Sequence, residues 1–127
     1  MSSFVIDASA ILALLNEEPG HQLVSESIDD SAMSAVNYCE VIGKLVDVGL
    51  SDSEARSTVE PLKVEIVDFD EQLAFDAACL RRETRLLGLS LGDRSCLALA
   101  RASKAAVLTA DKNWSKLKMD VKIILIR

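Results

Sequence analysis

Short apolar runs alternate with helix-patterned segments along the whole chain, and that alternation leaves few folds open. Residues 4–6, 32–33, 64–69, 105–109 and 122–126 read as strands. Between them the pattern predicts helices over 8–15, 20–30, 35–48, from Ser51 or Ser53 to about Leu62, from Asp70 to about Leu87, and over 90–102. Leu23, Val24 and Ile28 face inward in the second of these, and residues 111–116 form a turn or short helical piece. Parallel strands need long crossovers, and helices supply them. The order therefore predicts an α/β chain, a three-layer α/β/α sandwich with a parallel sheet between two helical layers. No repeat, low-complexity tract or linker interrupts it, so residues 1–127 read as one domain.

Half of the residues are hydrophobic, enough for one core and outside the disordered class. No apolar run is long enough to span a membrane, and the N-terminus lacks a basic region followed by an apolar one, which predicts a soluble, cytoplasmic protein with no membrane partner. Cys39, Cys79 and Cys96 are odd in number and widely spaced, which fits neither a disulfide framework nor a zinc site; they read as small core residues. The net charge of −6 is unevenly spread. Residues 1–64 hold eleven acids and three bases; residues 65–127 hold nine acids and eleven bases. Arg85, Arg94 and Lys112 belong to that basic second half and are candidate contacts for a phosphate backbone.

Four acids fit ordinary packing poorly. Asp7 directly follows the first strand and Asp111 follows the fourth, which puts both at the carboxyl edge, where open α/β sheets hold ligands. Each also has a local explanation, Asp7 as a helix cap and Asp111 as a turn residue. Glu40 lies in a stripe with Asn37, Lys44 and Asp47, spaced three, four and three residues apart on one helix face. A Glu40–Lys44 pair on solvent would account for part of it. The other faces are apolar, which predicts an enclosed helix aiming Asn37 and Glu40 at a cleft. Asp93 with Ser90 fits a capping box. Thr109 is placed to bond a neighbouring carboxylate or a bound water, and Trp114 to staple the last turn. Four caps have no reason to converge. If the four acids do converge, they repel and desolvate one another and need a cation. Hard oxygen donors select Mg²⁺ or Mn²⁺ and suit metal-assisted attack of water on a phosphodiester. There is no Gly-rich phosphate loop and no G-x-S-x-G nucleophile turn, and the single histidine, His21, sits in a polar stretch.

Residues 5–10 (VIDASA) and 14–20 (LLNEEPG) resemble the start of PIN-domain proteins, specifically VapC-type toxins. Residues 34–40 (SAVNYCE) resemble the second motif of that family, 89–100 (LSLGDRSCLALA) the third and 108–114 (LTADKNW) the fourth. The resemblance runs in order over essentially the whole chain. It implies a five-stranded parallel sheet and a Mg²⁺- or Mn²⁺-dependent endoribonuclease. It implies the toxin of a toxin–antitoxin pair, a homodimer neutralised by a small antitoxin whose tail fills the active-site groove. It carries over Asp7, Glu40, Asp93 and Asp111 as metal-binding acids, with Ser9 and Thr109 in support. Some relatives have a further acid one helical turn after the third; here Cys96 and Leu97 occupy that region.

Two other classes fit parts of the pattern. One is a catalytically silent PIN-like module that binds RNA or a protein partner. The other is a receiver-type phosphoacceptor domain, which expects paired acids after the first strand; Asp7 is single, and of Asp68 and Asp70 the latter reads as a helix cap.

Overall fold

The computed structural model describes residues 2–127. Its strands are β1 (Phe4–Ile6), β2 (Ser31–Ser34), β3 (Glu65–Val67), β4 (Ala106–Thr109) and β5 (Ile123–Leu125). Its α-helices are α1 (Ala8–Leu15), α2 (His21–Ser27), α3 (Ala35–Asp47), α4 (Asp52–Val59), α5 (Glu71–Cys79), α6 (Arg81–Thr84) and α7 (Leu91–Ser103). All four strand pairings are parallel, in the order β3-β2-β1-β4-β5. This is the predicted five-stranded α/β/α sandwich. None of the helices among the described residues is long and apolar enough to cross a membrane.

Strand pleating divides the interior in two. Val5 pairs with Val107 and Ile6 with Leu108, and successive side chains point to opposite faces. Ile6 and Leu108 enter one core with Met33, Ile11 and Val41, under α1 to α4. Val5 and Val107 enter the other with Leu97, Ala77 and Trp114, under α5 and α7. Trp114 is fully buried, as its stapling role requires.

Helix starts follow local chemistry. Asp7, Ser34, Ser51, Asp70 and Ser90 each accept a backbone N–H at the start of the helix they precede. α3 stops before Gly49, whose φ of +105° suits a residue without Cβ.

Several expectations need correction. The helix expected over 70–87 is three pieces: α5, α6 and a 3₁₀ turn over Arg85–Leu87. Thr84 donates from its hydroxyl to Leu80 O at 2.8 Å, a back-bond of the kind that bends helices, and Gly88 ends the segment at φ +68°. β3 is shorter than the expected 64–69 because it is an edge strand paired only with β2. Leu23 is exposed rather than inward, and of that helix's apolar residues only Val24 is buried. Cys39 and Cys79 are exposed, not core residues; only Cys96 is buried. α3 is not enclosed either, since Cys39, Gly43 and Val46 face outward and only Asn37, Val41 and Leu45 are buried.

Candidate active site

β1 lies between β2 and β4: the chain runs from β1 through β2 to β3 on one side, and the next crossover brings it back to β4 on the other, so the direction of winding reverses at β1. The crevice at such a reversal opens at the carboxyl ends of the strands. Asp7 stands there. Its N–H donates to Leu108 O at 3.2 Å, which extends the sheet by one residue. Asp7 is nearly buried, and both of its carboxylate oxygens accept hydrogen bonds. Oδ1 accepts from Ser9 Oγ at 2.7 Å and from the Ala10 N–H at 2.9 Å; Oδ2 accepts from Thr109 Oγ1 at 2.6 Å. The two hydroxyls tie in β4's exit as well, because Ser9 Oγ accepts the Ala110 N–H at 2.9 Å and Thr109 Oγ1 accepts the Asp111 N–H at 3.1 Å. Asp7 is thus both the predicted cap of α1 and the centre of a network joining β1, α1 and β4.

The other side of the crevice belongs to helices. The buried Asn37 amide donates to Glu40 Oε1 at 2.8 Å and to Gly92 O at 3.0 Å, linking α3 of one layer to α7 of the other. Gly92 matters for what it lacks. A Cβ there would lie only 2.2 Å from Glu40 Oε1, so the carboxylate lies against the bare backbone of α7. Asp93 completes the expected capping box: its Oδ2 accepts the Ser90 N–H at 2.9 Å and its own N–H donates to Ser90 Oγ at 3.1 Å. Asp111 Oδ1 accepts the Asn113 N–H at 3.0 Å, and Asn113 donates from Nδ2 to Leu87 O.

These elements enclose a cleft of about 210 Å³. Asp7, Glu40, Asp93 and Asp111 all line it, together with Ser9, Asn37 and Lys44. Larger hollows of about 550 and 510 Å³ open at the amino edge of the sheet, one beside Asp30 and Glu65 and one beside Arg101, Lys104 and Lys122. Neither gathers donors as the small cleft does. Burial pushes the Asp7 carboxyl up to about 6 and the charge of Asp93 adds to the rise, against the lowering effect of its three hydrogen bonds. Burial likewise raises the Cys96 thiol, with Asp7, Asp93 and Glu40 adding to it, so that residue is a neutral packing group beneath the acids.

The donor set fits a hydrated hard cation. All four acids are oxygen ligands, and Mg²⁺ keeps several waters while using one or two carboxylates directly. Among the described residues no three acid, histidine or cysteine groups already stand at the spacing of a ligated ion. Buried Asn37 Oδ1 has no hydrogen-bond partner, so the cleft wall offers an acceptor suited to an ordered water. Glu40 and Asp93 each retain an oxygen with no protein donor.

The predicted supporting residues Ser9, Asn37 and Thr109 are all in the site. None of the three predicted cationic contacts is among its lining. Arg94 points to α5, where its Nη1 donates to Ala77 O at 3.0 Å, so it neither pairs with Asp93 nor reaches the cleft. Arg85 is exposed on the 3₁₀ turn, away from the lining residues. Lys112 is exposed beside Asp111 at the start of the last 3₁₀ turn. Sequence reasoning missed Lys44 as a lining residue, although its place in the Asn37–Glu40 stripe was the available signal.

Comparison with known proteins agrees with this architecture. The PIN domain model matches residues 4–119. Among solved structures, DNA-bound VapBC from Salmonella typhimurium is 18% identical over 100% of both chains, with a TM-score of 0.77. A toxin–antitoxin complex from Klebsiella pneumoniae is 18% identical, covers 98% of each chain and has a TM-score of 0.76. FitAcB from Neisseria gonorrhoeae is 22% identical over 97% of each chain, with a TM-score of 0.71. No match was found among curated proteins. With 116 consecutive residues matched and the fold shared, the chain belongs to the PIN domain family.

Proposed function

We propose that this chain is a Mg²⁺- or Mn²⁺-dependent endoribonuclease, a VapC-type toxin kept inactive by a small antitoxin protein. The observation that carries the reading is the convergence of Asp7, Glu40, Asp93 and Asp111, from four separate parts of the chain, on one small cleft at the strand-order reversal. Family membership supports nuclease chemistry, and the likeness to toxin–antitoxin and VapBC structures supports an antitoxin partner. A cytoplasmic homodimer goes with the same reading.

Asp7, Glu40, Asp93 and Asp111 would hold the metal, which when bound supplies a water of lowered pKa and offsets charge on the phosphorus. The protein supplies orientation. Ser9, Thr109 and the Ala10 amide fix the plane of the Asp7 carboxylate. Asn37 holds Glu40 against α7 at the mouth of the cleft, and the capping box fixes Asp93. Four carboxylates repel a polyanion, so RNA should enter productively only with the cation in place.

The test is cleavage of total cellular RNA by purified, antitoxin-free protein with Mg²⁺, Mn²⁺ or chelator, beside Asp93→Asn. Metal-dependent fragments that vanish in the variant would establish the activity and identify the substrate. One observation favours the alternative, a silent module binding RNA or a partner: both Asp7 oxygens are already occupied by protein donors. Folded, antitoxin-free protein that binds RNA yet cleaves nothing in either metal would select that alternative.

A further inference from the structure

Among the described residues, Lys44 is the only cation lining the cleft that the four acids share. It sits one helical turn after Glu40 and two after Asn37, on the same face of α3. Opposite charges so placed would ordinarily pair, yet Lys44 takes part in neither of the two ion pairs among the described residues, Arg101–Asp120 and Arg127–Glu18. Its ammonium is therefore held by none of the acids around it. The dipole of α3 favours a cation in the helix's last turn but does not select the face that looks into an acidic cleft. Lys44 is also exposed, so nothing in the fold consumes it.

We propose that Lys44 is a substrate-positioning residue, whose ammonium holds the RNA phosphate next to the one that lies among the acids. The inference rests on the ribonuclease reading above. Four residues advance an α-helix by roughly 6 Å, a span that matches one step along an extended nucleic-acid backbone. Glu40 and Lys44 thus meet successive phosphates. A lysine suits this place because it is a mobile point charge on a long stem, able to follow a backbone without reading its sequence. It also offers attraction on a wall that is otherwise acidic, which orients the strand along α3. Lys44 touches no reacting atom, so its effect falls on binding.

The test uses full-length, antitoxin-free protein and a fluorescently labelled single-stranded RNA, in the Asp93→Asn background to prevent turnover. Anisotropy titrations over a range of salt concentrations compare Lys44 with Lys44→Ala and Lys44→Arg. The proposal expects Lys44→Ala to weaken binding several-fold and to flatten the plot of log K against log salt by about 0.7, the contribution of one phosphate contact on a single strand. Lys44→Arg should restore both. In the cleaving protein, Lys44→Ala should raise KM and leave kcat nearly unchanged. Equal affinity and slope for Lys44 and Lys44→Ala, while RNA is still bound, would overturn the proposal and leave the nuclease reading standing. Mn²⁺ affinity that tightens in Lys44→Ala with no change in the RNA slope would overturn it in favour of a counter-ion role. An Asp93→Asn protein that binds no RNA, with wild type that cleaves none, would overturn both readings.

Discussion

On the strand side of the cleft, Asp7 is buried and accepts three hydrogen bonds; on the helix side, Glu40 is exposed and accepts one. The strand side is rigid because parallel ladders hold β1 against β4 and two hydroxyls cross the join between them. The helix side is a meeting of two layers through the Asn37 amide, where Glu40 and Asp93 each keep one carboxylate oxygen without a donor among the described residues.

Replacing the fixed acid should have the largest effect. Asp7→Asn should abolish cleavage, beyond the roughly 10–100-fold typical of losing a group that only orients a ligand, while circular dichroism reports an intact fold. The same variant tests the electrostatics. The folded Asp7 carboxyl lies at about 6, above its unfolded value of 3.8, so the folded state binds this proton more tightly. Its contribution to stability is fully present below pH 3.8 and is lost as pH rises through 6. The amplitude is on the order of 3 kcal/mol in metal-free protein. Denaturant melts between pH 4 and 7 should show this component in wild type and lose it in Asp7→Asn.

Next in size is the metal. At a concentration a hundred times its dissociation constant, Mn²⁺ should stabilise the wild type by about 2.7 kcal/mol, a rise in Tm on the order of 10 °C. The effect should strengthen from pH 5 to 7 as Asp7 loses its proton. No Tm shift, at any pH in that range, would remove the fixed acid from the metal site.

Thr109→Val keeps the side-chain shape but deletes the donor to Asp7 Oδ2 and the acceptor for the Asp111 N–H. It should cost about 1–3 kcal/mol of stability and reduce activity roughly 10–100-fold. The hydrogen bond it removes lowers the Asp7 pKa, so the pH-dependent component should move upward, which NMR titration of the carboxyl would detect.

The mildest change probes the helix side. Gly92→Ala places a methyl where the Glu40 carboxylate now lies and forces it aside. Because Glu40 is exposed, Tm should stay within about 1 °C of wild type or rise slightly, alanine being the better helix residue. Metal affinity should still fall. A variant with unchanged Mn²⁺ affinity would show that Glu40 does not need its present seat.

The same division explains what could be read from the sequence. Asp7, Ser34, Ser51, Asp70 and Ser90 act on amides two or three residues away, so their capping roles were legible one position at a time. The strand–helix order put Asp7 and Asp111 at the carboxyl edge, but whether Glu40 and Asp93, which lie on helices, would join them stayed open until the packing of α3 and α7 was seen. Interlayer contacts were not legible. Arg94 reaches Ala77 O, seventeen residues away on another helix, and nothing beside Arg94 in the chain signals it. Glu40 against Gly92 joins positions fifty-two residues apart, and the glycine reads locally as a weak helix residue. α3 looked enclosed because apolar residues such as Cys39 and Val46 fall on more than one face, but apolar content does not determine how far neighbouring helices extend to cover it. The bend in the segment after α5 likewise goes with a threonine hydroxyl that folds back to Leu80 O, four residues earlier.

Placing β1 between β2 and β4 also sets an order in time. The bond from Thr109 to Asp7 spans 102 residues, and β1 gains its second neighbour only when residues 106–109 are available. A ribosome delivers Asp7 104 residues before Asp111. A nascent chain that has not reached Ala106 lacks both the strand that encloses Asp7 and the fourth carboxylate. The cleft therefore cannot exist until β4 and Asp111 have been made, and chains truncated ahead of β4 should be inert whatever the full protein does to RNA.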